Sequence, residues 1–485
     1  MKINIIHISD LHRDPNHPIS NDALLNSLVR DIHASTKENP SIPLPHLIVV
    51  SGDVIQGTGR DTPNPNEVLQ AQYEQAEEFL GRLADELVGG DRNRVVIVPG
   101  NHDIDFPTMH SSLEPVDHLA VAPRQRWELA ELLFAKDSLY RWSWADFSLH
   151  KIDDHIAYGN RIRQFITFYD RFYSGARHYP EHPQEQFGIF DFPSLNCVIV
   201  GFNSCHMNDP WNKQGAIHPD AFAKACTLLR GRQYRGRLRL AVWHHSTKGG
   251  PQQFDYMDTD FLQHLIANGF SLGLHGHQHR PEVLDERYAF GGGKKVNVVS
   301  ASTLCGGEKA LAAGVSRGYN RLIIDNEDFS SQLHLRQMAN SEFQNPIWCK
   351  GALYEYGSMI SFPLQPPDEP DPAMYTNEDL REAEEHLRAS RHAEAAALLE
   401  PLIKINELAS LLLLQAFLDG GDNAGIVRCF ANPVSVPEFV AVADALYEEG
   451  EYDRLRQLLN SPLFANHDDP SVIHIHTKLS ARLSQ

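Results

Sequence analysis

Five short apolar runs in this chain stop abruptly at residues that carry carboxylates, imidazoles or an amide, and this repeated ending constrains the fold more than any other feature. Residues 3–8 lead into Asp10-Leu11-His12, and Leu47-Ile48-Val49-Val50 leads into Ser51-Gly52-Asp53. Val95-Val96-Ile97-Val98 passes through Pro99 into Gly100-Asn101-His102-Asp103. Residues 238–243 run straight into His244-His245, and 271–274 into His275-Gly276-His277-Gln278-His279. Runs of this length and composition, several closed by Pro or Gly, read as buried strands ending in tight turns. Between them, apolar residues recur at helical spacing, as in Leu24, Leu25, Leu28, Val29 and Ile32 and again across 66–88. The result is an alternation of strands and helices, and open α/β sheets bind ligands beyond the carboxyl ends of their strands.

Each ending has its own chemistry. In an extended chain side chains alternate with period two, so Asp10 and His12 share a side and can meet one metal ion. Gly52 allows a tight turn that projects Asp53 over the sheet edge, a place where Asp also caps local backbone. His277 and His279 stand two apart beside Gly276, and metal coordination is the economical reading of so dense an imidazole cluster. Of the adjacent His244 and His245, one is expected to face a metal while the other contacts substrate or packs. Arg13, directly after Asp10-Leu11-His12, offers a guanidinium to a substrate phosphate or to solvent.

Composition narrows the class of protein. A chain of 485 residues with 42% hydrophobic and 22% charged residues is a globular protein of two or three domains. Its 63 acidic against 43 basic residues, a net charge of −20, argue against a surface built to bind nucleic acid backbone. The amino terminus reaches Ser9-Asp10 too soon for a signal peptide, and no apolar run approaches the ~20 residues that cross a bilayer. A cytoplasmic protein that does not enter membranes is expected. Six cysteines without a CxxC pair argue against a zinc-thiolate site or a disulfide framework.

Three further regions follow. Strand–helix alternation lapses over about 104–187, a stretch rich in aromatics (Trp127, Trp142, Trp144, Phe147, Phe165, Phe168, Tyr169, Phe172 and Tyr173). Structureless loops this long are rare, so a helical cap is expected there, with helices near 124–141 and 161–174 and the aromatics as its own core. Strand patterning returns at 187–202 and continues to about 338. Pro363, Pro366, Pro367, Pro370 and Pro372 with Asp368, Glu369 and Asp371 mark a linker, placed at 346–372. Beyond it, 373–485 is Ala/Leu/Glu-rich, and 387–399, 418–430 and 446–459 align loosely at a period of about 30, the length of tetratricopeptide-like paired-helix repeats.

Taken together, Asp10-x-His12, Gly52-Asp53, Gly100-Asn101-His102-Asp103, His244 and Gly276-His277-Gln278-His279 closely resemble the motifs of the calcineurin-like metallophosphoesterases. The resemblance covers roughly residues 1–340. It implies a four-layer α/β/β/α sandwich over 1–345, interrupted by the cap, with the all-α repeat domain appended. It further implies that Asp10, His12 and His279 hold one divalent metal, that Asn101, His244 and His277 hold the other, and that Asp53 bridges them. Manganese, iron and zinc all suit such ligands. A site for two ions about 3.5–4 Å apart needs a bridging carboxylate, and water between them supplies hydroxide for attack on phosphorus. By the same resemblance His102 serves the leaving oxygen and Asp103 orients His102. Many relatives carry Asp or Asn three residues after the bridging Asp, where this chain has Gln56.

The function expected is a metal-dependent phosphoester hydrolase, foremost a phosphodiesterase acting on a nucleotide or another small diester. A DNA or RNA nuclease, a protein phosphatase, and a scaffold with a vestigial phosphoesterase half are the alternatives. For the helical tail a protein partner is expected, since stacked helical repeats present an extended concave surface.

Overall fold

A computed structural model describes all residues except 40–41, 119–121, 136, 250–254, 259, 288–292, 308–310, 312–313, 341–344, 353–356, 368–371, 463, 465–466 and 484–485. The strands are β1 (Lys2–Ile8), β2 (Leu47–Ser51), β3 (Val95–Val98), β4 (Leu113–Val116), β5 (Tyr140–Ser143), β6 (Ser148–Ile152), β7 (Phe187–Phe192), β8 (Cys197–Phe202), β9 (Leu238–Val242), β10 (Phe270–His275), β11 (Glu282–Arg287), β12 (Lys295–Ser300), β13 (Gly318–Asp325), β14 (Ser330–Met338), β15 (Trp348–Lys350) and β16 (Met359–Pro363). Contacts divide the chain into two units, Met1–Asp368 and Glu369–Gln485.

The first unit holds two large sheets. One has the order β15-β14-β13-β1-β2-β3, with β16 also on β14, and the other the order β11-β12-β10-β9-β8-β7. Within the first, β1, β2 and β3 run parallel; within the second, β8, β9, β10 and β12 do. Parallel strands buried on both faces require near-continuous apolar sequence, which is why these runs show little alternation. Their faces nonetheless divide by period two. Cys197 and Ile199 of β8, with Leu238, Leu240 and Val242 of β9, join the core between the sheets, whereas Val198, Val200, Phe202, Ala241 and Trp243 join a second core on the outer face.

Helices α1 (Asn21–Glu38) and α2 (Pro65–Val88) cover the first sheet, burying Leu24, Leu28, Phe79 and Leu80 in the main core. The α1 start is fixed by Ser20, whose hydroxyl accepts from the Ala23 N–H.

The segment 104–187 departs from the expected helical cap. It contains α3 (Phe106–Ser111), α4 (Pro123–Leu133), α5 (His155–Gly159) and α6 (Arg163–Phe172), but also a three-stranded antiparallel sheet in the order β4-β6-β5. The helix expected over 124–141 ends at Leu133, and β5 occupies its last residues. The aromatics do not form a core of their own. Phe165, Phe168, Tyr169, Phe172 and Tyr173 belong to the main core, because α6 lies on α2 and stacks Phe168 on Tyr73 with ring centroids 5.0 Å apart. Trp127, Trp144 and Phe147 are 71%, 76% and 70% exposed and sit in no core.

On the outer face of the second sheet lie α7 (Pro219–Leu228) and α8 (Asp260–Ala267), completing the four layers helix, sheet, sheet, helix. The stretch 346–372 is not simply a linker, because β15 and β16 both pair antiparallel with β14. Asp368, Glu369, Pro370 and Asp371 of the expected linker lie outside the described residues.

The second unit is all helical. It comprises α9 (Pro372–Arg388), α10 (His392–Leu399), α11 (Glu407–Gly420), α12 (Asn423–Cys429), α13 (Val436–Glu448), α14 (Tyr452–Leu459) and α15 (Pro470–Leu483) around its own apolar core. The first six form three pairs, each a longer helix followed by a shorter one. Within each pair the turn carries a left-handed residue: Ser390 at φ 56°, Gly421 at 67° and Gly450 at 73°. Among the described residues no helix is long and apolar enough to cross a membrane. All six cysteines are free thiols.

Candidate metal centre

Because β1, β2 and β3 point the same way, as do β8, β9 and β10, their carboxyl ends converge on one side of the two sheets. The loops leaving them are held by backbone bonds across the elements. Asp10 N–H donates to the Gly52 carbonyl at 3.1 Å, His12 N–H to the Asp53 carbonyl at 3.0 Å and Gly276 N–H to the His244 carbonyl at 3.1 Å.

Three of the expected ligands, Asp10, His12 and His279, bring their donor atoms within 4.8 Å of one another. His279 Nε2 stands 3.1 Å from Asp10 Oδ1 and 3.4 Å from His12 Nε2. A second group gathers around Asn101, whose Oδ1 lies 3.1 Å from His244 Nε2 and 2.9 Å from His277 Nδ1. Asp53 stands between, with Oδ2 3.2 Å from His244 Nε2 and Oδ1 accepting the His102 N–H at 2.8 Å. All seven expected ligands therefore meet at one place.

Their convergence does not arise from extended alternation. Asp10, His12, Asp53, His277 and His279 have φ of 52°, 45°, 50°, 74° and 55°, the left-handed region that L-residues seldom occupy. Each such residue costs on the order of 1–3 kcal/mol, and strain of this kind collects at functional sites. Two glycines make room. A side chain at Gly52 would collide with the His244 ring, and one at Gly100 with the Asp53 carboxylate.

The donor set suits divalent metal. Asp10 Oδ1 is buried 3.1 Å from His279 Nε2, and His12 Nδ1 is buried without a partner. Carboxylate oxygen, imidazole nitrogen and one neutral amide oxygen are ligands for hard or borderline cations. Burial opposes the charge on Asp53, but His244 and His102 hold its carboxyl well below the usual range. Burial, aided by His102, pushes His12 down to about 3. His244 differs, since Asp53 overrides burial and holds its proton up to about 9, so an ion entering there displaces a proton.

Four other expected residues divide. His102 reaches the site, with its ring 4.6 Å from that of His12 and edge-on to it. Its partner is not Asp103. The Nδ1 of His102 lies 2.7 Å from the Gln56 carbonyl, and since a carbonyl only accepts, the proton sits on Nδ1 and Nε2 is the ring's acceptor atom. Asp103 turns inward, where Oδ2 accepts from the Gly100 and Val54 N–H groups at 2.8 and 3.2 Å and Oδ1 from the Tyr73 hydroxyl at 3.1 Å. Arg13 does not face substrate. It is 1% exposed and donates to the Ile19 carbonyl and to Cys305 Sγ. His245 packs instead of contacting substrate, fully buried with Nδ1 2.9 Å from Ser204 Oγ and Nε2 3.2 Å from Asn208 Nδ2.

Several groups escaped the sequence because they are backbone atoms or lie outside any motif. The Ser51 carbonyl, 2.8 Å from His244 Nδ1, turns that ring's Nε2 toward Asn101, and the Gln56 carbonyl does the equivalent for His102. Thr303 donates its hydroxyl to the Asp10 carbonyl at 2.7 Å from a loop with no recognisable pattern.

The sequence profile of the calcineurin-like phosphoesterases matches residues 3–281. Solved structures similar to the chain include a purple acid phosphatase from yellow lupin (Lupinus luteus) seeds, at 9% identity over 72% of this chain and 54% of that one, with a TM-score of 0.39. The chain thus spans about half the length of the lupin protein. A dimetal phosphatase from Danio rerio is similar at 10% identity over 72% of this chain and 98% of that one, with a TM-score of 0.37. TT1561 of Thermus thermophilus is similar at 9% identity over 66% and 94%, with a TM-score of 0.31. No curated protein matches the chain.

Proposed function

The chain belongs to the calcineurin-like phosphoesterase family as a metal-dependent phosphoesterase, and we propose that it is a phosphodiesterase acting on a small, singly charged phosphodiester. The observation that carries this reading is the pair of ligand groups sharing Asp53, with His102 Nε2 left free beside them. Asp10, His12 and His279 would hold one divalent ion and Asn101, His244 and His277 the other. When bound, such a pair supplies Lewis acidity and a water acidic enough to give hydroxide near neutral pH.

The chain's own residues complete the chemistry. Asn101 contributes an uncharged oxygen, which leaves the site more net positive charge for a phosphate. Asp53 fixes the His102 backbone through Oδ1 while facing His244 through Oδ2, tying the acid group to the ligands. His102 in its doubly protonated form donates from Nε2 to the leaving oxygen, with Nδ1–H anchored on Gln56. Arg13 is turned away, so it adds no charge to match a second phosphate charge, which favours a diester over a monoester dianion.

The test is hydrolysis of bis-p-nitrophenyl phosphate by manganese-loaded protein. Asp53→Asn is expected to lower turnover at least 100-fold. His102→Ala is expected to keep two equivalents of manganese yet lose about 10²–10⁴ in kcat, most severely for esters with poor leaving groups. Wild-type protein that binds two ions without cleaving any diester would refute the reading.

A further inference from the structure

We propose that Asp255 is a positioning residue, facing the outer nitrogen of His277 and so holding that ring in register with the metal ligands. The inference rests on the reading of His277 as a ligand. His277 Nδ1 lies 2.9 Å from Asn101 Oδ1 and 3.3 Å from His244 Nε2, so it is the nitrogen turned to the cluster. An imidazole that ligates through Nδ1 carries its proton on Nε2, and that N–H needs an acceptor to fix the tautomer and the ring plane.

His277 Nε2 is buried and makes no hydrogen bond. The acceptor opposite it is Asp255 Oδ2, 3.9 Å away. Asp255 Oδ2 also accepts from Gln278 Nε2 at 3.3 Å, whereas Asp255 Oδ1 is buried with no partner. A donor and a carboxylate, each with unmet hydrogen-bonding capacity, thus face each other at 3.9 Å.

The surroundings of the carboxylate support this role. His277 thus presents one ring nitrogen, Nδ1, to Asn101 and the other, Nε2, to Asp255. His245, whose ring centroid is 4.7 Å from that of His277, has both nitrogens engaged by Ser204 and Asn208 and accepts nothing from Nε2. Gly249 packs directly against Asp255 and Tyr256, and a side chain there would collide with the Asp255 Oδ1 atom and the Tyr256 ring. The loop therefore carries a glycine where the carboxylate passes.

The experiment titrates metal-free, full-length protein with manganese alone, reading each site's affinity by calorimetry and the bound metal by elemental analysis. Asp255→Ala is expected to weaken one of two sites about 10–100-fold and leave the other within twofold. Asp255→Glu is expected to recover most of the loss, and the melting temperature of the metal-free protein is expected to stay unchanged. Two unaltered sites in Asp255→Ala would overturn the proposal. So would equal weakening of both sites with a lowered melting temperature, the mark of a merely structural role. His277→Ala, run in parallel, should abolish the same site. If it leaves both sites intact, the ligand reading itself fails, which is distinct from a failure of Asp255 alone.

Discussion

Asp103 is 2% exposed and spends both oxygens on neighbours that are not catalytic. Burial, reinforced by the charge of Asp53, pushes its carboxyl up to about 7 against the pull of two N–H donors. A raised pKa means that the folded chain keeps a proton that the unfolded chain releases near the ordinary carboxyl value of 3.8, so this residue's contribution to stability falls as pH rises from about 4 to 7. Urea unfolding of metal-free Asp103→Asn at pH 4.5 and 7.5 should therefore show a smaller decline than wild type, by on the order of 2–4 kcal/mol. Its kcat is expected within a few-fold of wild type, because the Gln56 carbonyl orients His102; a 100-fold loss would restore Asp103 as the orienter. Residue types at strand ends were legible because ligand chemistry needs carboxylate, imidazole and amide together. The partners of His102 and His244 were not legible, since carbonyls at Gln56 and Ser51 leave no trace in side-chain identity.

The cap sheet is attached through a buried ion pair. Arg141 of β5 is 1% exposed, with Nε 2.6 Å from Asp209 Oδ2, and it donates further to the Tyr158 hydroxyl at 2.8 Å and the Met207 carbonyl at 3.0 Å. Tyr158 of α5 closes the triangle by donating to Asp209 at 2.7 Å. Since Asp209 follows β8, this triangle joins the cap to the second sheet. Arg141→Met leaves a buried carboxylate without its cation, which costs about 3–5 kcal/mol. Hydrogen exchange should then accelerate at the amides of β5 and β6 while β1, β2 and β3 keep their protection. Unchanged exchange in β5 and β6 would show that other contacts hold the cap. Core strands were legible from uninterrupted β-branched runs, but β4, β5 and β6 have four or five residues each and mixed polarity, so helical periodicity nearby masked them. The aromatic spacing of α6 marked a buried face without saying that α2 lies against it. The proline cluster likewise concealed β15 and β16, which are recognisable only through their pairing with β14.

At the scale of the molecule, the main core of the first unit and the core of the helical unit share no residue. Their sequences announced the division, since β-branched runs give way to Ala/Leu-rich helix after the prolines. The repeat was visible only loosely in sequence because its invariant is conformational: three turns, at Ser390, Gly421 and Gly450, adopt the left-handed backbone with different residue types. All seven proposed ligands, His102 and Asp255 belong to the first unit, and we propose that turnover does not depend on the helices. We propose that the helical pairs bind a protein partner, as stacked repeats do through a continuous surface. A chain ending at residue 367 should then bind two manganese ions and cleave bis-p-nitrophenyl phosphate within about twofold of the full-length rate. The full chain should unfold in two steps, with the fluorescence of its six tryptophans, all in the first unit, following that unit alone and far-ultraviolet dichroism following the helices of both. Loss of diester turnover on truncation, with both metals still bound, would instead make the helices part of the catalytic machinery.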